Sequence, residues 1–436
     1  MKKALAVLTL IVGALIGALA YDQLFIDKSF GPSAMVGLAL GGFVFVCLLV
    51  TRLLYDTRHR ETLANIWLAA FSVVFSYFAI DFIAAFFLIQ PLSPPLIPDE
   101  YRHHKLVANS YSRLEQRDFS YIQRVNNFGL RGRDVVVPKP AGTYRILMLG
   151  DSFTMGKGVQ DDETFSVLVE KALNEAVAQC KGLAIEVVNG GVDSYAPVLS
   201  LIELKRDLRP LTPDMVVLNL DLSDLVQETA YRSEGILAEN GEVVAVPQEA
   251  DRDSLVERAR SWTERHLFLT RALLFYANQF FGYKQVTVRD VVTRANRETV
   301  AHSLAEDTNP RDTEWHNVFD SILRMRDYAR INNIQFLISI YPWAHQISDT
   351  EWNPGRYAFM DQHSTPSTRS RDRITEFAAT SGIELVDTFP VFKAALGSTP
   401  LYFAHDMHWT PAGQRVEARG LTEHLTSHHL NRWCGR

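Results

Sequence analysis

Cysteine is scarce here. Three cysteines in 436 residues leave room for one disulfide at most. Basic charge is not in excess either: 44 Lys and Arg stand against 50 Asp and Glu, a formal charge of −6. With the cations scattered along the chain, a nucleic-acid partner is excluded. No internal repeat and no low-complexity tract is present. Two catalytic signatures are also missing. A phosphate-cradling G-x-x-x-x-G-K loop would need Gly150 and Gly156 one residue closer, and Gly158 follows Lys157 where Ser or Thr belongs. A G-x-S-x-G elbow fails because Thr154 replaces its last glycine.

What is present starts with apolar sequence, 47% of the chain, which excludes global disorder. Three stretches, Ala4–Ala20, Ala34–Val50 and Ile66–Ile89, approach or exceed the roughly 20 residues that cross a bilayer. Residues 1–90 therefore read as a membrane region of three transmembrane helices, the first an uncleaved span rather than a signal peptide. Lys2, Lys3, Arg52, Arg58 and Arg60 flank one side of these spans, so the remainder is expected outside a bacterial cytoplasmic membrane, in the periplasm. Asp81 falls inside the third span, where an acid is costly unless protonated or facing a neighbouring helix. Cys47 lies in the second span, leaving Cys180 and Cys434 in the exported part. An oxidising compartment permits a bond between them, but spacing alone does not establish one.

A proline-rich connector beginning at Gln90 leads into a polar stretch, so residues 91–125 read as a linker. From Tyr144 onward short apolar strands alternate with helices. Strands are expected at Ile146–Leu149, Ile185–Val188, Met215–Leu220, Phe336–Tyr341 and Glu384–Val386. Helices are expected at Thr164–Ala178, Pro197–Asp207, Phe319–Ile331, Arg371–Thr380 and Gln414–His424. That alternation implies an α/β domain, a mainly parallel sheet covered on both faces, over residues 126–436. It is interrupted at about 226–311 by a stretch too long for a loop, read as an inserted helical cap. Ligands bind beyond the carboxyl ends of strands in such sheets. Ser152, Asn189 and Ser223 all fall there.

Chemistry concentrates in two places. Gly150-Asp151-Ser152 ends the first exported strand, and His405-Asp406-Met407-His408-Trp409 lies near the other end of the domain. A serine hydroxyl needs a base, imidazole suits neutral pH, and the imidazole needs a carboxylate to hold its tautomer. His405, Asp406 and His408 also have ligating side chains, but the further ligands a metal site requires are lacking, so no metal and no cofactor is expected. Ile146–Thr154, Asn189–Tyr195 and Asp406–Trp409 together resemble the SGNH (GDSL-like) hydrolase superfamily. The resemblance implies a three-layer α/β/α flavodoxin-like sandwich, with Ser152 as nucleophile, His408 as general base and Asp406 as its orienting acid. It also implies an oxyanion hole from the Ser152 N–H, Ser194 and Ser223. Many members carry the acid three residues before the histidine, where this chain has His405. The Asp-x-His-Trp form is similar to that of alginate-type polysaccharide O-acetyltransferases. Asp151, Gly191 and Trp343 are candidate substrate contacts. The resulting expectation is a membrane-anchored serine esterase or deacetylase acting on envelope glycan or lipid esters. An O-acyltransferase working with envelope biosynthesis partner proteins, and a non-catalytic glycan-binding module, are its alternatives.

Overall fold

The computed structural model describes residues 60–87, 96–248, 297–305 and 312–435, with isolated positions before residue 52. The chain divides into two compact units, Met1–Leu92 with Ala250–Gln285, and Ser93–Glu249 with Val286–Arg436. In the first unit the third apolar stretch forms one helix, Arg60–Phe87, with Asp81 buried along it. The first two stretches lie almost wholly outside the described residues. Among the described residues no helix is long and apolar enough to cross a membrane.

In the second unit the expected linker is folded from residue 96 onward. It forms two antiparallel hairpins, β1 (Ile97–Asp99) with β2 (His103–Lys105), and β3 (Ser110–Glu115) with β4 (Ser120–Val125). Then come β5 (Thr143–Gly150), β6 (Ala184–Gly191), β7 (Met215–Leu220), the small hairpin β8 (Ile236–Leu237) with β9 (Val243–Ala245), β10 (Gln335–Ile340) and β11 (Glu384–Asp387). Five of these make one parallel sheet in the order β11-β10-β7-β5-β6. Numbered along the chain, that order is 2-1-3-4-5, as in flavodoxin-like folds.

The reason lies in the strand sequences. TYRILMLG of β5 is buried at seven of eight positions and MVVLNL of β7 at all six, as strands covered on both faces must be. The helices Phe165–Ala176 and Pro411–Cys434 pack together. Pro197–Arg206, Asp224–Ser233 and Asp312–Ile331 form a second packed group. Cys180 and Cys434 are disulfide-bonded, their Cα atoms 5.0 Å apart. Of the expected cap, residues 249–296 and 306–311 lie outside the described residues. Its described beginning is the helix Asp224–Ser233 followed by the β8–β9 hairpin.

Register decides where chemistry is possible. Gly150 pairs with Gly191, Leu149 with Leu218, and Ile340 with Leu220. Four strands therefore end on one edge, and the strand order reverses between β5 and β7. Ser152 and Asp221–Ser223 follow those two strands, at the switch point where ligands bind in such sheets.

Candidate active site

Ser152 opens a one-turn helix, Ser152–Met155, directly after β5. Gly150 makes the bend, with φ +152°, and a Cβ there would lie 2.3 Å from Thr154 Oγ1 and 2.8 Å from the Asn219 carbonyl oxygen. Asp151 caps the turn, its carboxylate accepting the Phe153 N–H at 2.9 Å. Gly156 closes it at φ +85°. Arg131 then pins the exit, its guanidinium donating to the carbonyls of Met155 at 3.0 Å and Val159 at 2.6 Å.

The imidazole arrives from the far end of the chain. Tyr402 and Trp409 bridge, the Phe403 N–H donates to the His408 carbonyl at 3.0 Å, and residues 404–407 form the tip between them. Thr410 caps the following helix, with Pro411 at its first position. At the tip the His408 N–H donates to Asp406 Oδ1 at 3.0 Å, and His408 Nδ1 hydrogen-bonds the same oxygen. His408 Nε2 lies 2.7 Å from Ser152 Oγ. A carboxylate accepts only, so Nδ1 carries the ring proton and Nε2 is free to accept from the hydroxyl. The His408 ring packs on Phe153, centroids 4.6 Å apart. Burial opposes ionisation of Asp406, but the His408 and Lys157 charges and the bonds from His408 prevail, bringing its pKa to about 2. It stays an anion at any working pH.

Residues 306–432 match the family described as "SGNH hydrolase-like domain, acetyltransferase AlgX". This chain carries an SGNH hydrolase-like domain. The match, which takes in Asp406 and His408, supports an SGNH-type esterase or acyltransferase. No curated protein matches the sequence. Among solved structures, an acetylxylan esterase from Geobacillus stearothermophilus is similar at 12% identity over 65% of this chain and 95% of its own, with a TM-score of 0.35. A putative lipolytic protein of the G-D-S-L family from Desulfitobacterium hafniense is similar at 11% identity over 64% and 98%, with a TM-score of 0.33. At these scores neither structure bears on the activity.

In the SGNH-like domain the other expected site residues take different places. Ser194 adopts φ +63°, the conformation a glycine would take, in a turn closed by the Tyr195 N–H on the Val192 carbonyl at 3.1 Å. A non-glycine residue thus keeps the turn and its backbone N–H. Ser223 does not serve as expected. Its N–H donates to Asp221 Oδ2 at 2.9 Å and its hydroxyl donates to the same oxygen, so neither is left for an oxyanion. Trp343 is buried, its indole N–H donating to Asp221 Oδ1 at 2.6 Å, and offers no face to a sugar. Asp151 is buried and spent on the nucleophile turn. Gly191 is needed for contact with that turn, since a Cβ would sit 2.1 Å from the Met155 nitrogen. Burial pushes the Asp221 carboxyl up, and burial with mutual repulsion does the same for Asp151 and Asp224.

Two contributors were invisible to motif reading. Asp118, in the β3–β4 turn, accepts the N–H groups of His405 and Asp406 at 2.6 and 2.9 Å and pairs with His405 Nδ1 at 2.7 Å. His405, standing where many relatives place the acid, is therefore a tether for the loop. Lys157 pairs with Asp193 at 2.9 Å. Burial disfavours its ammonium, yet Asp193 and then Asp406 hold its pKa above the ordinary lysine value. No spacing rule points to either residue. Replacing Asp118 by Ala removes three bonds that hold the triad loop. A lower kcat by about 10- to 100-fold is expected, because small displacements at a reacting centre cost that much. Fluorophosphonate labelling of Ser152 should slow in step, and an unchanged labelling rate would show the loop to hold itself.

Proposed function

We propose that the protein is a serine-dependent acetyl esterase that works through an acyl-serine intermediate on esters of an envelope glycan. The Ser152–His408–Asp406 arrangement carries the reading. His408 Nε2 takes the Ser152 proton as Oγ attacks the ester carbonyl, and the backbone N–H groups of Ser152 and Ser194 receive the oxyanion. Being at the start of its helix, the Ser152 N–H has no intrahelical acceptor. His408 returns the proton to the departing alkoxide, leaving the acyl group on Ser152. A second nucleophile, activated by the same imidazole, then frees the enzyme.

A glycan substrate is supported by the cavity of about 450 Å³ beside the loop that carries His408, lined by Asp118, Thr350, Asn353, Phe403 and Thr410 among others. Polar groups beside an accessible ring suit a sugar. Attachment outside a cytoplasmic membrane is part of the proposal. It rests on the apolar stretches and charge bias of the first ninety residues, and the Cys180–Cys434 bond suits an oxidising compartment.

Transfer is the second reading, favoured by the acetyltransferase in the matching family's description. The two differ only in whether water or a sugar hydroxyl meets the acyl-serine. Labelled acetyl glycan given to the full chain, with and without an unlabelled acceptor glycan, separates them. Acetate released at the same rate in both mixtures means hydrolysis; label on the acceptor means transfer. No Ser152-dependent loss of acetyl in either mixture would end the proposal.

A further inference from the structure

We propose that His104 is the positioning residue of the oxyanion turn: its Nε2–H grips the Asp193 carbonyl and so aims the Ser194 N–H of the same peptide unit. The inference rests on the serine mechanism above and adds to it a residue from outside the sheet.

The turn Val192–Tyr195 begins one residue after β6, where the Val192 N–H donates to the Gly150 carbonyl at 3.1 Å. It therefore lies against the nucleophile turn. A four-residue turn has two near-isoenergetic forms that differ by a flip of its central peptide, here Asp193–Ser194. One needs φ > 0 at the third residue and the other does not. Ser194 has φ +63° while Asp193 is not left-handed, so the turn has the φ signature of type II. For a non-glycine residue that form is locally disfavoured. Left alone, the central peptide would flip, and the Ser194 N–H would point away from where it points now.

One side chain opposes the flip: His104 Nε2 meets the Asp193 carbonyl oxygen at 2.6 Å. The Tyr231 hydroxyl donates to the Ser194 carbonyl at 2.9 Å and so holds the next peptide, at the exit of the turn. A carbonyl only accepts, so His104 Nε2 carries the proton. In a neutral ring Nδ1 is then an acceptor, and His103 Nδ1 lies 2.8 Å from it, able to donate. Burial lowers the pKa of both histidines, which keeps the rings neutral. The β1–β2 hairpin that supplies them is itself fastened. The Val246 N–H donates to the Tyr101 carbonyl at 2.8 Å, the His103 N–H to the Val246 carbonyl at 2.6 Å, and the Tyr195 hydroxyl to the His104 carbonyl at 2.8 Å. In a peptide plane N–H and C=O point in opposite directions. Holding the Asp193 oxygen on one side fixes the Ser194 donor on the other. With Ser223 committed to Asp221, that donor has no side-chain substitute in the expected hole.

The test uses the full-length chain with His104→Ala, His104→Gln, His104→Phe and Tyr231→Phe, p-nitrophenyl acetate as substrate, and methylboronic acid as a mimic of the tetrahedral adduct. His104→Ala should lower kcat about tenfold with KM within about twofold, less than the 100- to 1000-fold lost when a donor is removed outright. Boronate affinity should fall by the same factor, and His104→Gln, which offers an N–H at similar reach, should recover most of both. Tyr231→Phe, which frees only the exit of the turn, should give a smaller loss. If His104→Ala does not fold, His104→Phe decides the matter, because it keeps a ring against Tyr195 and Tyr231 but has no N–H to donate. Unchanged kcat, unchanged boronate affinity, or no recovery with Gln would reduce His104 to a packing residue. Ser152→Ala run alongside keeps the failures apart. Turnover surviving in that variant sinks the serine mechanism itself, whereas an inert Ser152→Ala with an unaffected His104→Ala sinks only the role of His104.

Discussion

Replacing Ser152 by Ala should lower kcat for p-nitrophenyl acetate by about 10⁶-fold, with KM little changed. The size of the effect follows from what the hydroxyl does. Without it no acyl-enzyme forms, and the residual rate reflects only water attacking an ester held beside the remaining N–H donors. The methyl group that remains fits the buried site, because the turn is set by Gly150, the Asp151 cap and the Arg131 staple rather than by the Ser152 side chain. Thermal stability should therefore be nearly that of the native chain. Stopped-assay kinetics with a fluorophosphonate titration checks the result. A variant that still turns over at even a hundredth of the native rate would mean that another group is the nucleophile.

Asp406→Asn should be the next largest, about 10⁴-fold in kcat. Asparagine can still accept the His408 N–H through its carbonyl oxygen, so the loop keeps its shape. Its amide group, however, can present N–H groups to His408 Nδ1, which would draw the ring proton to Nε2 and leave nothing to accept from Ser152. Titration supplies a second, independent readout. Asp406 falls from 3.8 to about 2 in the folded chain. A carboxyl so lowered contributes stability that is fully present above its unfolded value and is lost as pH falls through about 2. The stability difference between the native chain and Asp406→Asn should thus be constant at neutral pH and shrink as the solution is acidified below about 4. A difference that stays flat down to pH 2 would show that the carboxylate is not held by the imidazole and Lys157.

The central strands were legible because their cause is local. Runs such as ILML and MVVLNL have only one way to be covered on both faces, and a Gly-Asp-Ser or a Thr-Pro at their ends punctuates the chain through φ preferences and caps. The five expected strands and five helices all appear, most shifted by a few residues at their ends. The candidates that the structure brings together, Ser152, His408 and Asp406, were legible for a related reason: each sits in a short stretch whose residue types restrict the chemistry. Residues 96–125 were misread because short hairpins of mixed polarity such as HHK and SYIQRV show too little period to distinguish them from a connector. Ser223 and Trp343 were misassigned for a different reason. Each follows a strand end, as a site residue would, but Asp221 lies between them and takes the bonds of both.

By itself, then, the order of residues determined the parallel sheet and the chemical kind of the site, since burial, periodicity and turn chemistry act within a few positions. Only the tertiary structure decided who holds whom. Ser152 and His408 are 256 positions apart, Asp118 and His405 are 287 apart, and His104 and Asp193 are 89 apart. Such pairs meet through strand register and through which hairpin packs on which turn, and side-chain bonds of this range leave no periodic trace in the chain that makes them.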